Sequence, residues 1–151
     1  EYKSRFKLMR ENILAMKQLW TEETGEYHGE FVNFDPAYSE PKPTQKPHPP
    51  ILLGGETDHT LKRVVEYCDG WLPRGRGGFD SAESKQRLTA MAEGAGRDPS
   101  SLSITVFGAP ADAAALDNYR LAGIDCALLQ MPTASRDECM KRLEEITPLA
   151  G

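Results

Sequence analysis

Four short apolar runs, at residues 51–54, 70–73, 102–107 and 124–131, each give way to a stretch with helical signals, and this alternation constrains the chain more than any other feature. Thr57 precedes Leu61, Val64, Val65 and Cys68, and Asp80 with Glu83 precedes Leu88, Met91, Ala92 and Ala95. Ala111 or Asp112 precedes Leu116 and Tyr119, and Ser135 with Glu138 precedes Cys139, Leu143 and Ile146. Ser or Asp three residues before Glu is a capping-box pattern, and apolar residues at three- and four-residue steps make a buried helical stripe. Gly94 and Gly96 stop the second of these helices and Gly123 the third. Parallel strands joined through helices cross over right-handed, and runs that are apolar on both faces belong in a sheet covered by helices. The expected class is α/β: four parallel β/α units, about half of a TIM-type (β/α)8 barrel, which takes ~250 residues when whole. An open doubly wound sheet is the competing arrangement.

Ahead of these units, residues 5–20 place Phe6, Met9, Ile13, Met16 and Trp20 on one helical face, with Lys7, Arg10, Glu11 and Lys17 opposite. That spacing predicts an amphipathic helix. Tyr27, Phe31, Val32 and Phe34 then predict a β-hairpin over residues 26–34, whose aromatic side chains serve packing or line a pocket. Prolines at 36, 41, 43, 47, 49 and 50 predict an extended lead-in. The expected organisation is one partial domain, 1–151, with helix, hairpin and lead-in over 1–50 and the β/α units over 51–151.

Composition narrows the partners. A net charge of -5 with no basic run disfavours nucleic acid. No apolar stretch reaches the roughly 20 residues that cross a membrane. Cys68, Cys126 and Cys139 form no CxxC and are odd in number, which points to a reducing, cytoplasmic setting. His28, His48 and His59 lack metal-ligand spacing, so no metal site is expected. The chain starts at Glu1 without an initiator Met or a signal peptide, which reads as a fragment of a longer protein.

The stretch from 49 to 60 carries the strongest chemical signal. Pro49 and Pro50 mark the start of a strand, Gly54 and Gly55 give it a tight exit, and Thr57 caps the helix that follows. Backbone N–H groups and the helix dipole at such a junction attract anions. Further on, Arg74 and Arg76 stand in a glycine-rich loop, and guanidinium groups clamp phosphate or carboxylate bidentately. No GxSxG, Walker A or GxGxxG motif occurs in its proper context, and no catalytic side chain is identified.

Trp20, then Glu26-Tyr27-His28-Gly29-Glu30-Phe31, Pro43, Pro47, Pro49-Pro50-Ile51-Leu52-Leu53-Gly54-Gly55 and Asp69-Gly70-Trp71-Leu72-Pro73 follow one another in an order and spacing that resemble the luciferase-like monooxygenases. The resemblance continues through Gly96-Arg97-Asp98-Pro99 and Ala122-Gly123-Ile124-Asp125. It implies a (β/α)8 barrel using FMN or coenzyme F420 for hydride transfer or oxygen activation on a small organic substrate, with the four runs here as barrel strands five to eight. It also implies that Gly54, Gly55, Glu56 and Thr57 approach the cofactor phosphate, with His59 in reach and Arg74 and Arg76 as helpers. Glu56 is the awkward member, since a carboxylate repels phosphate. The partner this reading calls for is an N-terminal half-barrel or a second copy of the chain. The rival reading is a non-catalytic half-barrel that serves binding or assembly.

Overall fold

In the computed structural model, which describes residues 2–150, the chain separates into two units, Glu1–Pro50 and Ile51–Gly151. In the first, helix α1 (Arg5–Thr21) leads into an antiparallel ribbon of β1 (Gly25–His28) and β2 (Asn33–Ala37). Helix and hairpin lie where the sequence predicts them, with two differences. Strand β2 runs on through Pro36, because a two-stranded ribbon is all edge and a missing donor costs it no ladder bond. Glu11, expected on the solvent face, is buried, whereas Phe6 and Met16 of the expected apolar stripe are each 36% exposed.

Hydrogen bonding explains the reversal. Glu11 Oε1 accepts from the N–H of Glu30 at 3.0 Å, and Oε2 accepts from those of Phe31 and Val32 at 2.7 and 2.9 Å. These donors sit in the turn between β1 and β2, where no ladder partner is available, and a buried N–H left unmade is costly. Burial raises the Glu11 carboxyl, but the three backbone bonds and the nearby Arg10 charge outweigh it and leave the group below its ordinary value.

The second unit alternates strand and helix: β3 (Leu52–Gly54), α2 (Asp58–Tyr67), β4 (Gly70–Leu72), α3 (Ser81–Gly94), β5 (Ser103–Ala109), α4 (Ala113–Ala122), β6 (Cys126–Leu129) and α5 (Arg136–Ile146). All three strand pairings are parallel, and the sheet order is β3-β4-β5-β6. Strand order that follows chain order decides between the two expected folds. A doubly wound sheet reverses direction at a switch point and carries helices on both faces, while a barrel segment winds one way with its helices on one.

The core agrees. Trp71 pairs with Ile104 and Val106 with Ala127, and this face packs on Leu61, Val64, Leu88, Ala92 and Leu116 from α2, α3 and α4. By register, Leu52, Leu72, Phe107 and Leu128 belong to the other face, where Phe107 is 52% and Leu128 41% exposed. The predicted caps form: Thr57, Asp80, Asp112 and Ser135 each accept a backbone N–H with the side chain, and Ser135 with Glu138 completes a capping box. Gly123 ends α4 in the left-handed conformation. The expected apolar stripe of α5 is present in sequence but none of that helix is buried, and Leu143 is 42% exposed. Its strand, β6, is an edge, so among the described residues no further β/α unit stands beside α5.

At the N-terminal end of the sheet two aspartates repeat one device. Asp69 Oδ2 accepts from the N–H of Ile51 at 2.8 Å, and the Asp69 N–H donates to the Ile51 carbonyl at 2.8 Å. Asp125 does the same with Ile104, at 2.7 and 3.1 Å. Each aspartate thus extends a parallel ladder by one pair. Between them Gly70 is required, because a Cβ there would collide with Ser103 and with the Leu52 side chain.

Candidate functional site

The opposite, C-terminal end of the sheet gathers most of the residues that the sequence singles out. β3 ends in Gly54, and Gly55 follows with φ +118°, a conformation L side chains avoid. A Cβ at Gly55 would also lie 2.8 Å from Thr60 Oγ1. Gly54 has neither constraint: a Cβ there would meet only the Leu72 carbonyl at ordinary contact. Thr57 is committed to α2, its hydroxyl accepting from the Thr60 N–H at 3.2 Å and lying 3.1 Å from the Thr60 hydroxyl.

Glu56, which would repel an anion if bare, is paired. Arg74 Nε donates to its Oε1 at 2.9 Å and Arg74 Nη2 to its Oε2 at 3.1 Å, a bidentate fork. Those bonds from Arg74 hold the Glu56 carboxyl below its ordinary value against a smaller desolvation effect, and Glu56 in turn raises Arg74. Arg74 is therefore already engaged, while the Arg76 guanidinium meets the neutral Gln130 Oε1 at 3.3 Å. His59 is exposed on α2 and borders neither of the cavities here.

Two cavities meet at the Glu56–Arg74 pair. The smaller, about 370 Å³, is bordered by Gly54, Gly55, Leu72 and Phe107 together with the ion pair. The larger, about 640 Å³, adds Trp71, Arg76, Phe79 and Arg87, with Asp80 and Glu83 on its rim. The loop that carries Arg74 and Arg76 is tied to the body at both ends. The Gly75 N–H donates to the Phe107 carbonyl at 2.8 Å, and the Phe79 ring meets Tyr119 edge to face at 5.7 Å.

Two residues that the sequence did not mark as site residues reach the same turn. The Trp71 indole N–H donates to the Gly55 carbonyl at 2.6 Å. Arg87, from α3, donates to the Glu56 carbonyl at 3.0 Å and forms a short ion pair with Asp58. A buried tryptophan at a strand end needs an acceptor, which was a readable signal. Arg87 sends none, because its partners lie 29 and 31 positions away.

The sequence profile of the luciferase-like monooxygenases matches residues 1–145. The chain belongs to that family. This luciferase-like chain is 34% identical over 142 residues to an uncharacterised protein of Mycobacterium tuberculosis, covering 92% of itself and 49% of that relative. It is 30% identical over 96 residues to an FMNH2-dependent dimethylsulfone monooxygenase of Pseudomonas putida, covering 62% of itself and 26% of that enzyme. The fold is also that of the coenzyme F420 dependent tetrahydromethanopterin reductase of Methanopyrus kandleri, with a TM-score of 0.68 at 13% identity, over 93% of this chain and 62% of that one. The luciferase-like chain thus spans about half the length of the M. tuberculosis relative. No helix among the described residues is long and apolar enough to cross a membrane.

Proposed function

We propose that this chain is the cofactor-phosphate half of a flavin- or F420-dependent oxidoreductase acting on a small organic substrate. The observation that carries the reading is the turn at Gly55: a positive φ and a backbone without Cβ, at the C-terminal end of a parallel strand, opening onto a capped helix. In barrels of this kind that end of the sheet is the functional face. The residues fit a phosphate, because Gly55 leaves the backbone approachable and the Glu56 charge is cancelled by Arg74. Gly54, Gly55, Glu56 and Thr57 would hold it through the backbone, with Arg76, bonded to the neutral Gln130 side chain, as the cation. The FMNH2 dependence of the P. putida monooxygenase and the F420 dependence of the M. kandleri reductase support FMN or F420 as the cofactor. When bound, such a cofactor supplies hydride transfer or, once reduced, oxygen activation. The chain itself binds and orients the cofactor, and Phe107, Leu72 and Trp71 line the cavities with apolar surface that excludes water.

Replacing Gly55 by valine tests the reading. The strained φ and the contact with Thr60 should weaken FMN or F420 binding at least about tenfold, measured by fluorescence titration, since a residue forced to positive φ costs of order 1–3 kcal/mol. Unchanged affinity in a folded variant places the phosphate elsewhere. We also propose that the face carrying Phe107 and Leu128 is covered by an N-terminal half-barrel or a second copy, and a monodisperse monomer in light scattering would reject cover by a second copy.

A further inference from the structure

We propose that Trp71 and Arg87 are positioning residues for the cofactor phosphate: by gripping the carbonyls of Gly55 and Glu56 they aim the N–H groups of Glu56 and Thr57. The proposal rests on the reading just given and names the residues that make that turn competent.

A trans peptide is planar, with its C=O and N–H pointing opposite ways. Holding the Gly55 carbonyl therefore sets the direction of the Glu56 N–H, and holding the Glu56 carbonyl sets that of Thr57. The two grips are a Trp71 indole at 2.6 Å and an Arg87 guanidinium at 3.0 Å. Neither donor belongs to the turn or to its helix; one comes from β4 and the other from α3. Trp71 is 2% exposed and part of the core, so its N–H cannot move without repacking the sheet against α2 and α3. The smaller cavity is bordered by Gly54, Gly55 and Glu56 but by neither Trp71 nor Arg87, while the larger is bordered by Glu56, Arg76 and both donors.

Arg87 has a second effect. Its other nitrogen pairs with Asp58, the acid in the first turn of α2, as Arg74 pairs with Glu56. The carboxylates of Glu56 and Asp58, in the turn and the first turn of its helix, are thereby each paired with an arginine from later in the chain. Losing Arg87 would release one peptide plane and expose one negative charge at the place where a phosphate arrives.

The test compares FMN with riboflavin, which lacks the phosphate, or F420 with its phosphate-free deazaflavin core if that is the pair the chain binds. Affinities are measured for the wild type, Arg87→Gln, Arg87→Gln with Asp58→Asn, and Trp71→Phe. The expected result is a wild-type preference for the phosphorylated form that falls about tenfold in Arg87→Gln, the scale of one charge-assisted hydrogen bond. Asp58→Asn should restore part of that loss, and Trp71→Phe, which keeps the ring but not the N–H, should lower the preference with little change in riboflavin affinity. A wild type that shows no preference for phosphate, or binds neither pair, overturns the phosphate reading and this inference with it. A preference retained in both single variants, or lost equally for FMN and riboflavin, overturns the positioning role alone.

Discussion

The two ends of the four-stranded sheet use the same chemical group for opposite purposes. At the N-terminal end, Asp69 and Asp125 turn their carboxylates onto backbone N–H groups of the adjacent strand and lengthen the ladder. At the C-terminal end, Glu56 and Asp58 turn theirs onto the guanidinium groups of Arg74 and Arg87. A carboxylate bonded to backbone closes a gap in the sheet. One bonded to arginine forms an exchangeable pair in water, which contributes little to stability but sets the charge a ligand meets. On the proposed reading, the N-terminal end is closed by its own backbone bonds and the C-terminal end is the one a phosphate approaches.

The sharpest way to break this contrast is at Gly70. Gly70→Ala should destabilise the chain by about 2–3 kcal/mol in urea unfolding, because the added methyl is driven into the Ser103 backbone and Leu52. Cofactor affinity of the folded fraction should not change. Asp69→Ala and Asp125→Ala come next, each expected to cost about 1–2 kcal/mol by the same measurement, since each strips the acceptor from a strand-end N–H. Arg74→Gln should behave the other way round: an unchanged urea midpoint, with weaker binding of the phosphorylated cofactor as Glu56 is left bare. A large stability loss in Arg74→Gln would erase the distinction between the ends.

The smallest expected effect is on proton binding. Glu56 and Asp58 are both held below their ordinary values of 4.5 and 3.8, chiefly by side-chain bonds from Arg74 and Arg87. A depressed carboxyl contributes stability that is fully present above its unfolded value and is lost as pH falls through the folded one. The two ion pairs should therefore persist through neutral and mildly acid solution and open only below the usual carboxylate range. Carboxyl carbon titration by NMR should show the Glu56 midpoint rising toward its ordinary value in Arg74→Gln and the Asp58 midpoint in Arg87→Gln. Midpoints that do not move in those variants would assign the shifts to the helix and turn instead.

Sequence carried the sheet because each strand and helix has its own local signal. Thr57, Asp80, Asp112 and Ser135 cap the helices they precede, and the apolar runs become parallel strands within a residue or two of expectation. The site was legible only as far as chemistry stays local. The demand for glycine at 55 shows in the Gly-Gly exit, but Gly54 beside it has no such demand. The pairing of Glu56 with Arg74 spans 18 residues and that of Arg87 with Asp58 spans 29, and no periodicity records either. Glu11 is the plainest case: by helical period it belongs with Lys7 and Arg10 in solvent, yet three N–H groups of a turn about 20 residues later draw it inside.

Strand order that repeats chain order also matters for how the sheet is made. As the polypeptide leaves the ribosome, β4 finds β3 already synthesised, β5 finds β4, and β6 finds β5, so each addition closes a loop of only one intervening helix. A crossover of one helix is the shortest kind of loop that joins parallel neighbours, so the chain-closure cost of each pairing is kept low. Each strand also carries its own piece of the proposed ligand end, Gly55 with β3, Arg74 after β4, Phe107 in β5 and Gln130 after β6, so that end is laid out along the chain in the order of the sheet.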